Sequence, residues 1–435
     1  MGRDMPKNIV ICCDGTGNEI GSTISNVLKL YRVLEKTGDQ RVYYTPGVGT
    51  IGLQSAWQRW KQQVQAVFGL ATGHGLDDDV LGGYRFLCET YEAGDKVWLF
   101  GFSRGAYAAR MLAAFIHVIG IVSPDQLNLA SYALTAYKKS SADSQRADAG
   151  NAPATGETKY SPALEAAWEF SRIVGGDEIR IEFIGVWDTV ASVIVPRDDT
   201  LWFDLQTLRY TRTNPSVKTF RQAMSIDERR RMFRLNRWTD PQRYRPDPFV
   251  AASEIPQDIR QVWFAGVHGD VGGGYPEDQS GLSKFPLLWM IQQAQAKGLL
   301  INQSLVDQLV LGRPDPRSKQ HYVAPNAAAQ LHNSMNAGWE ILEWLPKRTK
   351  WQEWPDRPSF EGWYLPRSEP RLIAEGAVIH RSVVERMDKV PQYRPVNLPA
   401  NYIVEELASD AEALQAEPGA DHDAEGKLAP PDQQG

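Results

Sequence analysis

Three residue types that together perform acyl transfer stand in this sequence at the ends of apolar runs: a serine, an aspartate and a histidine. Ser103 lies in Gly101-Phe-Ser-Arg-Gly105, a G-x-S-x-G pattern between the apolar run 97–100 and a stretch of helix formers that includes Ala106, Ala109, Leu112 and Ala113. A serine at such a strand-to-helix corner exposes its hydroxyl only in a strained backbone, and the flanking glycines let strand and helix approach without Cβ clashes. The helix beyond aims its N-terminus at the serine, which places the amide of Arg104 to donate to an oxyanion. Asp188 follows the run 179–186, and His268 ends the run 261–267. In such a set the histidine takes the serine's proton during attack on a carbonyl, while the aspartate fixes the imidazole tautomer and stabilises its cation. Asp14 and Asp270 also stand at expected strand ends and compete with Asp188 for the acid's place.

A second oxyanion donor is expected from Asp14-Gly15-Thr16-Gly17, where glycines let backbone N–H groups come close to a substrate oxygen. The sequence leaves open whether Gly15 or Thr16 donates. Other patterns weigh little. Gly47-Val-Gly-Thr-Ile-Gly52 matches a dinucleotide fingerprint as a string, yet no acidic residue follows at the required distance. A phosphatase reading of the run 10–16 fails because Cys12 stands where that chemistry needs an aspartate. Asp77-Asp-Asp79 suits a helix start better than a metal site. The site therefore calls for no metal and no cofactor.

The elements that must position these residues alternate between strand and helix. Buried strands are expected at Asn8–Cys13, 41–45, 97–100, 179–186 and 261–267. Helices are expected from Ser25 to about residue 36 and over 77–92, 106–116, 124–138, 161–174, 283–297 and 380–387. Such alternation predicts an α/β fold, a mostly parallel central sheet with helices on both faces, whose carboxyl edge gathers Ser103, Asp188 and His268. The domain plan is a catalytic domain over 1–300, with a mobile loop at 140–160 and an inserted Arg- and aromatic-rich cap at 191–258. A Trp-rich extension over 301–404, packed on the core, and an acidic disordered tail over 405–435 complete it. Within the cap, Ser225-Ile-Asp-Glu228 reads as a capping box that opens a short basic helix.

With 435 residues, 42% hydrophobic and 23% charged, the chain is an ordinary soluble composition. The net charge of −6 conceals an uneven distribution: residues 209–245 carry eleven Arg or Lys against three acids, and 405–435 carry nine acids against one Lys. Nothing here points to nucleic acid. Cys12, Cys13 and Cys88, odd in number and without metal-ligand spacing, read as buried reduced thiols. No signal peptide and no transmembrane run is legible, so the protein is expected in the cytoplasm of the producing cell.

Several strings, in order, resemble an α/β-hydrolase family whose best-understood members are type VI secretion phospholipase effectors of the first lipase-effector class. They are CCDGTGN at 12–18, TPGVGT at 45–50, LFGFSRGAYAAR at 99–110, GVWDTV at 185–190, SIDERR at 225–230 and WFAGVHGDVGGGY at 263–275, with IHRSVVERM at 379–387 as a weaker one. The resemblance implies an α/β-hydrolase fold, a triad of Ser103, Asp188 and His268, and phospholipase A1 or A2 activity on glycerophospholipids. It also implies a secretion-apparatus partner, an immunity protein, and export to a target-cell periplasm or membrane. Arg229, Arg230, Arg231 and Arg234 interleave with Phe233 and Trp238 as a segment at a phospholipid surface would, although a solvated or ion-paired helix fits the same pattern. Two other functions stay open: a soluble cytoplasmic esterase acting on a small ester, and a hydrolase fold serving as a non-enzymatic interaction module.

Overall fold

The fold was analysed in a computed structural model, which describes residues 6–15, 23–47, 75–149, 169–174, 176–190, 194–196, 203–205, 208–247, 250, 253–316, 320–349, 352–354 and 356–405. Eight strands make one sheet: β1 (Asn8–Cys13), β2 (Gln40–Thr45), β3 (Lys96–Phe102), β4 (Ile181–Trp187), β5 (Val217–Ser225), β6 (Asp258–Phe264), β7 (Ala377–His380) and β8 (Tyr402–Glu405). Their order is β8-β7-β6-β5-β4-β3-β1-β2, and every neighbouring pair is parallel. The chain leaves β1 for β2 on one side and returns to β3 on the other, so the order reverses at β1. A crevice at the carboxyl ends of β1 and β3 follows from that reversal.

Both faces of the sheet are covered, which is why β1 is apolar at consecutive positions. Ile9, Ile11 and Cys13 join a core with Tyr84 and Leu87 of α2 (Leu76–Thr90) and Leu112 and Phe115 of α3 (Arg104–Ile119). Val10 and Cys12 face the opposite core, with Val27 and Leu30 of α1 (Asn26–Val33) and Trp289 and Met290 beyond them. Ser25 caps α1 as expected, accepting from the amide of Leu28 at 3.1 Å. The Asp77–Asp79 run forms the first turn of α2, where its charge is favourable with the helix dipole. All three cysteines are buried and unpaired.

Four expectations need correction. The expected cap at 191–258 is not an insertion throughout: Val217–Ser225 is a core strand lying between β4 and β6. Its polar residues hid it, and its longest ones have tertiary partners, Arg221 Nη2 donating to Asp258 at 2.9 Å and Gln222 accepting from Arg110 Nη2 at 2.9 Å. The capping box at 225–228 opens no basic helix. Ser225 ends β5, the Glu228 carboxylate turns inward, and only a single 3-10 turn, Arg231–Phe233, follows. Third, α4 (Ala130–Ala149) carries helix into the expected loop at 140–160, because residues 141–149 contain no Gly or Pro to stop it; residues 150–160 lie outside the described residues. Fourth, the extension over 301–404 does not merely pack on the core, since β7 and β8 widen the sheet by two strands. Residues 161–168 and the tail beyond 405 lie outside the described residues.

Candidate active site

Ser103 sits between β3 and α3 with φ 57° and ψ −120°. A left-handed backbone of this kind costs roughly 1–3 kcal/mol in a non-glycine residue and persists only where the surroundings enforce it. Here the enforcement is steric. A Cβ on Gly101 would collide with the carbonyl of Gly105, and one on Gly105 would collide with the carbonyls of Cys13 and Asp14. Strand, helix and the end of β1 are thus in backbone contact around the serine. Its amide donates to Trp187 O at 3.1 Å, which ties the elbow to the end of β4.

Asp188 follows β4, also at positive φ (38°), and His268 opens the short helix α5 (His268–Gly272) after β6. The structure brings both to Ser103. His268 Nε2 lies 2.8 Å from Ser103 Oγ, and His268 Nδ1 lies 2.5 Å from Asp188 Oδ2. A carboxylate only accepts, so the proton of a neutral imidazole belongs on Nδ1, and Nε2 is left to receive the serine's proton. Burial pushes the His268 imidazole below its ordinary proton affinity, and Asp188 pulls against that shift. Burial alone would raise the Asp188 carboxyl, yet Arg371 and His268 hold it well below the usual carboxylate range. The imidazole lies between Phe102, at 4.7 Å between ring centroids, and Phe233, edge-on at 4.9 Å.

The two competing aspartates have other partners. Asp14 accepts from Ser25 Oγ at 2.5 Å, Tyr44 OH at 2.8 Å and its neighbour's amide, Gly15 N, at 2.7 Å. It therefore braces the turn after β1. The Gly15 amide, one of the two oxyanion donors expected there, is engaged inside this turn, and Thr16 lies outside the described residues. Asp270 accepts from His332 Nδ1 at 2.6 Å and from the amides of Val267 and His332. The Arg104 side chain is buried and pairs with Asp79 at 3.6 Å, while Nε and Nη2 make no hydrogen bond.

The segment expected at a lipid surface is folded inward. Trp238 is 2% exposed, stacks on Phe220 at 4.2 Å and donates to Gln257. Arg230 forks onto Glu228 at 2.8 and 2.9 Å; Arg231 meets Glu353 at 2.8 Å and Tyr364 at 2.9 Å; Arg234 lies 3.6 Å from Glu353. Of the six candidates, Arg229 alone is exposed. The physical cause is the set of acids opposite, buried Glu228 and Glu369 and half-buried Glu353, which the sequence scatters over more than a hundred positions. Arg231→Gln is accordingly expected to cost at most about 3 kcal/mol of stability, because it removes the cation shared by Glu353 and Glu369 and leaves them only the longer contacts to Arg234 and Arg357. Denaturant melts check the loss, and vesicle binding equal to wild type's would accompany it.

Sequence reasoning missed Arg371, Ser225 and Glu228. Arg371 Nη1 donates to Asp188 Oδ1 at 2.6 Å and Nη2 to Asp188 Oδ2 at 3.0 Å, and the amide and hydroxyl of Ser225 reach Oδ1 at 2.9 and 3.0 Å. Glu228 accepts from the His268 amide at 3.2 Å, and despite its burial Arg230 and Arg371 push its carboxyl down to about 2. Ser225 and Glu228 lay within a recognised string, whereas nothing local marks Arg371.

Comparison with known proteins places this geometry. Residues 7–293 match the family described as T6SS, Phospholipase effector Tle1-like, catalytic domain. The chain belongs to this family. Residues 7–293 thus correspond to that family's catalytic domain, folded as an α/β domain around one parallel sheet. Among curated proteins, the Tle1-like chain is 33% identical over 251 residues to the uncharacterized protein YEL023C of Saccharomyces cerevisiae; the match takes in 56% of this chain and about a third (34%) of the yeast protein. Among solved structures, an uncharacterized protein from Pseudomonas aeruginosa aligns at TM-score 0.33 and 20% identity, over 68% of this chain and 46% of that one. The Tle1 effector bound to the VgrG spike from the type 6 secretion system aligns at TM-score 0.30 and 18% identity, over 65% and 53%. No helix among the described residues is long and apolar enough to cross a membrane.

Proposed function

We propose that this chain is a serine carboxylester hydrolase that cleaves glycerophospholipids as a phospholipase A1 or A2, with Ser103 as nucleophile, His268 as general base and acid, and Asp188 as the orienting carboxylate. The observation that carries the reading is the unbroken chain of contacts from Ser103 Oγ to His268 (2.8 Å) and on to Asp188 (2.5 Å), in a member of a phospholipase-effector family. Ser103 Oγ attacks the acyl carbonyl as its proton passes to His268 Nε2. The ester C–O bond then breaks, and His268 returns the proton to the departing lysophospholipid oxygen. Water, activated by the same imidazole, releases the fatty acid from the acyl-serine. The Arg104 amide supplies one oxyanion donor, and the Gly15 amide is engaged on Asp14. Family membership also supports delivery by the type VI apparatus; a secretion-apparatus partner and an immunity protein complete the proposal.

One observation favours a second reading, a soluble esterase of small esters: Arg230, Arg231 and Arg234 face internal acids, which leaves Arg229 and Arg237 as the exposed cations of that segment. Release of fatty acid and lysophospholipid from mixed phospholipid vesicles separates the two. Wild type is expected to release both, and Ser103→Ala neither. Turnover of short esters in solution with no release from vesicles would reject the phospholipase assignment and leave the esterase.

A further inference from the structure

The family match ends at residue 293, yet the hydrogen bonds around the site continue past it. Three acids lie at the carboxyl edge of the sheet, Asp188 after β4, Glu228 after β5 and Asp270 in α5, and each is answered from residues 330–371. Ser334 Oγ donates to Glu228 at 3.1 Å, His332 holds Asp270 through its ring and its amide, and Arg371 forks onto Asp188. The Arg371 contacts are the most constrained of these. Besides Asp188, its guanidinium donates to Ser225 Oγ and Phe233 O at 2.6 Å each, and it is 6% exposed. Its own carbonyl accepts from Asn397, which also donates to Ile226 O, and the next amide, Leu372 N, donates to Glu353.

We propose that Arg371 is a positioning residue for the reaction: it holds the Asp188 carboxylate against His268 and makes the segment beyond the family's catalytic domain part of the catalytic unit. The proposal rests on the assignment of Ser103, His268 and Asp188 made above. Two effects follow from a cation placed there, and they have opposite signs. The bidentate bond fixes the carboxylate's plane and keeps it ionised where no water reaches, which favours the productive tautomer of His268. The same positive charge offsets part of the field that Asp188 exerts on the imidazole, so His268 binds a proton less readily than it would beside a lone carboxylate. Other charged groups act on the pair: Glu228 and Arg230 from the segment after β5, and Glu353 beyond Arg371. Glu228 opposes Arg371 in sign, and Arg230 offsets Glu228, so removing Arg371 leaves a net negative surround for His268.

The test is the rate at which a fluorophosphonate labels Ser103, followed as a function of pH. This readout needs the serine, histidine and aspartate but no lipid, so it is separate from the phospholipase assignment. Arg371→Met, checked for folding by thermal melting, is expected to label about a hundredfold more slowly, as displacement of a catalytic group by an ångström does. Its acidic limb should move upward by on the order of one pH unit, because His268 then holds its proton to higher pH. Arg371→Lys keeps the charge and loses the fork, so it should be slower with its limb where wild type's is. A folded Met variant whose limb does not move would reduce Arg371 to a structural role and overturn the proposal, as would labelling at the wild-type rate. If the Met variant does not fold, the Lys variant decides: slower labelling at the wild-type limb supports the proposal, and an unchanged rate overturns it. Failure of wild type to label at Ser103 would remove the assignment on which the proposal stands.

Discussion

Asp188→Asn is expected to reduce both phospholipid cleavage and fluorophosphonate labelling by about ten-thousandfold, through the tautomer of His268 rather than through distance. The donors around position 188 decide which way the new amide points. Oδ1 receives the Ser225 amide, the Ser225 hydroxyl and Arg371 Nη1, all within 3.0 Å. An amide NH2 cannot accept those bonds, so the asparagine keeps its oxygen there and turns its NH2 toward His268 Nδ1. That nitrogen must then accept, the ring proton moves to Nε2, and the atom facing Ser103 Oγ at 2.8 Å no longer takes a proton. The variant also removes the carboxylate that Arg371 directly pairs with, leaving only the more distant Glu228 and Glu353, a loss of up to about 3 kcal/mol. The acid side carries a signature of its own. The folded-state affinity of Asp188 for a proton is depressed, so its contribution to stability is complete at neutral pH and is lost as pH falls below the unfolded carboxyl value. The asparagine variant lacks that component, and its stability should decline less steeply in acid. Cleavage within tenfold of wild type would refute this account.

What the sequence makes legible here are features with local causes. Apolar runs as dense as Ile9–Cys13 and Val97–Phe100 have no alternative to a sheet covered on both sides, and glycine two residues from a serine on each flank has a steric reason that survives folding. Features whose cause is a distant partner were not legible. Strand β5 carries Lys218, Arg221 and Gln222, and it becomes a core strand because Glu182, Asp258 and Arg110 meet them. The arginines of 229–237 look like a surface helix until Glu353 and Glu369 are brought beside them. Arg371 stands 183 positions from Asp188, and no periodicity or spacing in its neighbourhood points there. Buried charge is thus the common factor at β5, at the arginines of 229–237 and at Arg371. A charged residue in a sequence reads as exposed by default, and in this chain an acid and a base repeatedly enter the interior together, where neither would be stable alone.

The glycine at 105 provides the sharpest test of the elbow's packing, with a glycine elsewhere as its control. Gly105 has no positive φ, so an alanine there suffers no conformational penalty, and its whole cost is steric: the added Cβ meets the carbonyls of Cys13 and Asp14. Those are backbone atoms at the end of a central strand, which hydrogen-bonds to neighbours on both sides and has no side chain to swing away. Either α3 moves off the sheet or the turn bearing Asp14 does, and each displaces Ser103 from His268. Gly94 is the reverse case, at φ 96° with nothing within 4 Å of an added Cβ. Its alanine variant bears only the left-handed backbone penalty of about 1–2 kcal/mol and should leave the site intact. Gly105→Ala is therefore expected to lose at least about 3 kcal/mol in denaturant unfolding, with labelling of Ser103 abolished in whatever fraction remains folded. Gly94→Ala should label at the wild-type rate despite its lower melting temperature. Should the two variants be equally stable and equally reactive, backbone contact at the elbow would not be what holds the serine in its strained conformation.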